Sequence, residues 1–191
     1  GIYMGWITSK ALNQKINKMR TKSFNPIQAA LRLSRKEYIT PHYIRIYLTG
    51  EQVPVFDNTT IGVNNKILIP PKGLDDIHFP EFDLEKGEWK PQPEEIRPTV
   101  RTYTHRGIDL KSHEIWIDFV VHGKAGPASA WAINAQEGDV LGVLMRDGKT
   151  ELYPTTENYL LVVDATAIPV LGAILEDLPK TAKGILAKPL Y

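Results

Sequence analysis

The chain of 191 residues contains no cysteine. Disulfides, thiolate metal ligands, cysteine nucleophiles and cysteine-held iron–sulfur clusters are therefore excluded, and the composition fits a reducing compartment. No apolar run approaches the ~20 residues of a membrane helix; the most apolar stretch, 159–175, is interrupted by Asp164 and Thr166. The start, GIYMGWITSK, has no basic leader ahead of an apolar run, so no secretion signal is read there. None of the histidines (His42, His78, His105, His113, His122) stands at ligand spacing from another histidine or a carboxylate on one helix, so no metal site is expected. The Gly-x-x-x-x-Gly-Lys-Ser/Thr loop and the Gly-x-Ser-x-Gly elbow are both missing, which removes P-loop nucleotide hydrolysis and a serine hydrolase. The expectation is a cytoplasmic protein with no stable membrane insertion.

What is present is an ordinary globular composition, 42% hydrophobic and 24% charged. The net charge is only +1, but it is unevenly spread. The first fifty residues carry nine Lys/Arg against one acid, Glu37, and the next fifty carry ten acids against five bases. The early bases sit mostly on a short segment without interleaved aromatics, so no nucleic-acid partner is expected. Ile7, Leu12, Ile16 and Met19 are spaced to share one helical face within residues 6–22, ringed by Lys10, Lys15, Lys18, Arg20 and Lys22. Residues 1–25 are accordingly expected to form a basic N-terminal helix.

From Pro26 the period changes to two. Segments 30–34, 43–48, 66–70, 99–105, 114–121 and 140–145 alternate β-branched or aromatic residues with polar ones, which marks strands. Between them, residues 73–98 are rich in proline and acid and lack periodicity, as a long surface excursion does. Five or six antiparallel strands in this span make a small β-barrel domain over residues 26–154. The grammar then switches. Tyr159-Leu160-Leu161-Val162-Val163 is a continuous apolar run, as in a strand covered on both faces of a parallel sheet. A helical stretch follows at 170–178, and 184–187 reads as the next strand. The fold class is therefore mainly β: a small antiparallel barrel followed, over 155–191, by the incomplete start of an α/β nucleotide-binding domain.

Two segments hold polar and glycine-rich residues that alternation does not explain. In Arg101-Thr102-Tyr103-Thr104-His105-Arg106, two arginines flank a tyrosine. Guanidinium forks bind phosphate, and a phenol ring stacks on a flat heterocycle, so this set suits a planar anion as well as it suits an exposed strand. In Val121-His122-Gly123-Lys124-Ala125-Gly126-Pro127-Ala128-Ser129-Ala130-Trp131, a strand ends at a Gly-x-x-Gly turn and enters a helix with small residues in its first turn. Free backbone N–H groups and a positive dipole end there suit a phosphate, and Pro127 costs no hydrogen bond at that position.

Together the Arg-x-Tyr-Thr-x-Arg sequence and Asp-Phe-Val-Val-His-Gly-x-x-Gly-Pro-Ala-Ser-x-Trp-Ala resemble the siderophore-interacting proteins, FAD-dependent ferric-siderophore reductases of the ferredoxin-reductase superfamily. Asp164-Ala165-Thr166-Ala167-Ile168-Pro169 is similar to that family's Asp-x-Thr-Ala-Leu-Pro, where its second domain begins. The resemblance implies FAD as cofactor, NAD(P)H as electron donor and a ferric siderophore as substrate, with ferrous iron released. It implies that Arg101 and Arg106 face the flavin's phosphates, that Tyr103 stands against the isoalloxazine or ribityl chain, and that Thr104 bonds near the reactive N5 edge. Asp118 and His122 help define the pocket, and Gly126, Pro127, Ala128 and Ser129 present the pyrophosphate-binding turn. Trp131 packs that helix or borders the cofactor, and Thr166 lies at the nicotinamide side of the ring. No side chain is assigned as a general acid or base, because the flavin carries the chemistry. Two other readings stay open: a flavin-binding module without reductase activity, and a small barrel that binds another anion or a protein partner through the basic N-terminal segment.

Overall fold

The computed structural model describes residues 2–7, 26–121, 126–156 and 158–179. Its centre is a seven-stranded antiparallel sheet built from β2 (Pro26–Thr40), β3 (Tyr43–Thr49), β4 (Asn64–Ile69), β7 (Thr99–Thr104), β8 (Gly107–Asp109), β9 (Glu114–Val120) and β10 (Val140–Arg146). The strand order is β7-β4-β10-β2-β3-β9-β8. The two outermost strands, β7 and β8, are joined in sequence by only His105 and Arg106, so the sheet has to curl until its margins meet. Successive amides close the corner. The His105 N–H bonds to the Val63 carbonyl at 2.8 Å, on the β4 side, and the Arg106 N–H bonds to the Trp116 carbonyl on β9 at 3.2 Å.

Alternation decides which residues line the inside of the curl. Leu31 and Leu33, Ile44, Ile46 and Leu48, Ile67, Ile115, Ile117 and Phe119, and Leu141, Val143 and Met145 are buried in one core. The long strand β2 pairs with β10 over its first half and with β3 over its second, with register shifts between Leu33 and Arg35 and between Tyr38 and Thr40. Such bulges bend a strand around a barrel corner. Helix α1 (Pro127–Asn134) closes one end, burying Ala128 and Ala132 against the core. The six strands expected between 30 and 145 are all found. The sequence reading missed β8, and also a small hairpin, β5 (Phe82–Asp83) with β6 (Glu88–Trp89), inside the proline- and acid-rich excursion. That excursion is tied down by Ile77, which packs with Leu68 and Val140.

The α/β segment consists of β11 (Asn158–Val163) and α2 (Ile168–Asp177), whose Val170 and Ile174 pack with Leu161 and Leu178 in a second core. Pro169 opens α2 where a missing N–H does no harm. Strand β1 (Ile2–Ile7) pairs in parallel with β11 in a two-stranded sheet. This corrects the expected N-terminal helix over residues 1–25, which is a strand at Ile2–Ile7. The remainder of that helix, residues 8–25, and the strand expected at 184–187 lie outside the described residues.

Candidate functional site

Phe119 and Asp118 are neighbours on β9 and point to opposite faces of the sheet, and the sequence-selected residues divide between those two faces. On the inner face, the Tyr103 ring lies 4.4 Å from that of Phe119, centroid to centroid, and Phe119 lies 6.2 Å from Trp131 on α1. Tyr103 is half-buried, with its hydroxyl close to Ser129 in the first turn of α1. Burial raises its pKa, so the phenol stays protonated at neutral pH. Arg101 shares this face by alternation but is exposed, and its Nη1 donates to the Val100 carbonyl at 2.9 Å. Strand, aromatic stack and helix start thus meet in one place.

The beginning of α1 is open. Its N-cap, Gly126, has an extended backbone and provides no side-chain cap. No atom lies within 4 Å of where a Cβ on Gly126 would stand. The first helical hydrogen bond runs from the Ala130 N–H to the Gly126 carbonyl at 2.9 Å. Amides before that point have no intrahelical acceptor, as in any α-helix. His122 lies outside the described residues.

On the outer face, Asp118 is fully buried and serves as a hub. It accepts from the Tyr43 hydroxyl at 2.6 Å and from Arg45 through Nε at 2.7 Å and Nη2 at 2.9 Å. The Arg106 Nε lies 3.4 Å from Asp118 Oδ2 as an ion pair. Arg106, itself buried, crosses to α2 and donates from Nη1 and Nη2 to the two Glu176 oxygens, each at 2.7 Å. Its guanidinium lies flat on Gly172, where an added Cβ would meet Nη2 at 2.9 Å. Hydrogen bonding to Glu176 raises the Arg106 pKa, and the same bond lowers that of Glu176. Burial and the Asp118 carboxylate push the Tyr43 phenol well above its usual range. This cluster joins β3, β9 and the β7–β8 corner to α2.

Thr104 is buried and paired in register with Asn64. Thr166 is exposed, and its hydroxyl donates to Asp164 Oδ1 at 2.5 Å, while that oxygen also accepts the Thr166 and Ala167 N–H groups at 3.0 and 3.1 Å. The Asp164 carboxylate therefore shapes the turn that leads into α2. His105, at the closed corner, is completely buried, and neither ring nitrogen has a partner among the described residues. Burial, reinforced by nearby Lys149, lowers its pKa to about 4, so it is neutral at physiological pH.

Sequence reasoning missed Tyr43, Arg45 and Glu176. The available signal was Arg45 itself, a charged residue between Ile44 and Ile46 in the middle of a strand. Its partner lies 73 residues away and only the register reveals it. Among the described residues, no group of three His, Asp or Glu could hold a metal ion, and no helix is long and apolar enough to cross a membrane.

Residues 32–150 match the model of the family described as the siderophore-interacting FAD-binding domain. The chain is 35% identical over 150 residues to the ferric vibriobactin reductase ViuB of Vibrio cholerae, covering 78% of this chain and 54% of that protein. It is 36% identical over 154 residues to an NADPH-dependent ferric-chelate reductase of Escherichia coli, covering 80% of this chain and 58% of the relative. The crystal structure of the siderophore-interacting protein SipS from Aeromonas hydrophila superposes with a TM-score of 0.63 at 29% identity, over 82% of this chain and 56% of that one. The chain thus spans little more than half the length of the relatives it matches.

Proposed function

The chain belongs to the siderophore-interacting FAD-binding family, and on that footing we propose that it is the flavin-carrying part of a reductase that passes electrons from NAD(P)H to a ferric siderophore. The observation that carries the cofactor site is the convergence, on the inner face, of exposed Arg101, half-buried Tyr103 and the uncapped start of α1. The donor set fits FAD. A pyrophosphate needs cations and free N–H groups, which Arg101 and the amides of Ala128 and Ser129 supply. An isoalloxazine needs a flat wall, which Tyr103 supplies with Phe119 behind it.

When bound, FAD supplies the change from hydride transfer to single-electron transfer that ferric iron requires. The protein's own residues bind and orient. The ring series Tyr103–Phe119–Trp131 sets the Tyr103 ring relative to α1. The Asp118 hub holds α2 through Arg106 and thereby sets the Asp164–Ala167 turn, with Thr166 at its tip, relative to the barrel. Trp131 packs α1 onto the core. Thr104 and Asp118 belong to the wall behind the site, while Gly126 is the N-cap of α1 and Pro127 its first residue. The names of the relatives, a ferric vibriobactin reductase and an NADPH-dependent ferric-chelate reductase, support the donor and the substrate class.

The test has two stages. The purified protein, alone or after addition of FAD and removal of excess, is expected to show the absorption bands of oxidised flavin; their absence overturns the cofactor reading. Anaerobic NADPH followed by a ferric siderophore and a ferrous-specific chelator then reads the reaction. Flavin that stays yellow under both NADH and NADPH makes this a flavin-binding module without reductase activity.

A further inference from the structure

The helix whose start carries the proposed pyrophosphate site is held at its other end by one side chain. Lys36, on the second half of β2, extends its ammonium to three carbonyls: Ile133 at 2.8 Å, Ala135 at 2.9 Å and Ala132 at 3.2 Å. They lie at the C-terminal end of α1, where carbonyls have no intrahelical donor. A lysine has three N–H groups, so donors and acceptors match one to one. Its charge also complements the negative end of the helix dipole.

Apart from Trp131, the other side chains that seat α1 are small. Ala128, Ala132 and Ala135 are buried and let the helix approach the barrel closely, with Trp131 packed alongside. Methyl groups exclude water but resist sliding and rotation poorly, because each makes few directional contacts. Lys36 provides the directional anchor. At 1.5 Å per residue, the eight residues of α1 span about 12 Å, a single rigid rod. Fixing the last carbonyls therefore fixes the Ala128 and Ser129 amides at the first turn.

We propose that Lys36 is a positioning residue for the flavin's pyrophosphate, acting through α1 from the end remote from the phosphates. The inference rests on the FAD reading above and goes beyond it in naming what aligns the phosphate-binding turn.

The test uses two flavins on the whole chain. FAD presents a pyrophosphate and riboflavin has none, so a displaced first turn weakens one and spares the other. Binding is followed by flavin fluorescence for the wild type, Lys36→Met and Lys36→Arg. Lys36→Met is expected to raise the FAD dissociation constant about tenfold and leave that of riboflavin within about twofold. Lys36→Arg, which keeps the charge and several donors, is expected to recover most of the FAD affinity. Equal weakening toward both flavins overturns the proposal, because Lys36 then supports the fold as a whole. Unchanged FAD binding overturns it as well. Should Lys36→Met fail to fold, Lys36→Gln keeps a shorter neutral donor, and the same ratio is read. A wild type that binds no FAD fails before any variant is made, and that result counts against the cofactor reading itself.

Discussion

His105 makes a prediction whose size follows from its surroundings. It is fully buried at the corner where the sheet closes, neither ring nitrogen has a partner among the described residues, and its pKa is lowered to about 4. In the unfolded chain the same imidazole titrates at its ordinary 6.5. As pH falls through 6.5 the unfolded state takes up a proton, and the folded state does not until about 4. The unfolded state therefore binds more protons in this window and gains on the native state as the solution is acidified. The His105 contribution to stability is fully present above 6.5, declines between 6.5 and about 4, and is exhausted below. Integrated over the window, the loss is roughly 3 kcal/mol. Carboxylates such as Glu114 and Glu176, whose pKa values are lowered by their partners, lose their contributions at lower pH, so a comparison between variants is needed. Urea unfolding of wild type and His105→Leu at pH 7.5 and 4.5 isolates the histidine. The wild type is expected to lose roughly 2–3 kcal/mol more than the variant between those two values. Parallel pH profiles for the two proteins would falsify the reasoning, because the imidazole would then have a partner or water that lets it ionise when folded.

The remaining predictions test other parts of the molecule. Arg101→Ala is expected to leave folding unchanged, since the side chain is exposed, and to weaken FAD retention on dialysis by about tenfold or more; unchanged occupancy would mean the phosphates lie elsewhere. Asp118→Ala strands Arg45, leaves Arg106 with Glu176 alone and should cost about 3–5 kcal/mol in denaturant unfolding. By contrast, Glu176→Gln should cost under about 1 kcal/mol, because the Glu176 side chain is 66% exposed; similar losses for the two would refute the burial argument. At Gly107 an added Cβ would stand 2.1 Å from the Trp116 ring, so Gly107→Ala should cost about 1–3 kcal/mol and shift the tryptophan fluorescence.

The parts of the fold that sequence made legible share one property: their signal is local. Ile115, Ile117 and Phe119 alternate in one short segment, and they do face the core. The helix after Gly126 was likewise visible from a glycine, a proline and small residues in a row. What stayed hidden depends on register. That Asp118 sits across from Arg45, and that Arg106 reaches Glu176, 70 residues on, is set by how strands pair and where α2 docks. Strand β8 has three residues, too few for a period to show. At the N-terminus the error had a recognisable cause. Tyr3-Met4-Gly5-Trp6-Ile7 is a nearly unbroken apolar run, and such a run fits a strand in a parallel sheet as well as it fits the start of an amphipathic helix.

The two arginines of the first motif show how far one motif can be divided. Each stands near the tyrosine, and the resemblance directs both to phosphate. Their present contacts differ greatly. For a phosphate to bind Arg101 it must displace only the Val100 carbonyl from an exposed guanidinium. For a phosphate to bind Arg106 it must displace Glu176 from two bonds of 2.7 Å or approach Nε, which already faces Asp118. Breaking those contacts also leaves Asp118 and Glu176 to share Arg45 alone, so two carboxylates would then face one guanidinium. As built, the outer-face cluster is balanced, with Arg45 and Arg106 against Asp118 and Glu176, and that balance is what allows Asp118 and Arg106 to be buried. An arginine committed in this way is poorly placed to respond to a ligand and well placed to hold two structural units together. The motif therefore divides within six residues: Arg101 and Tyr103 are the pair proposed above to face the flavin on one side of the sheet, and Arg106, past the end of β7, bolts α2 to the other.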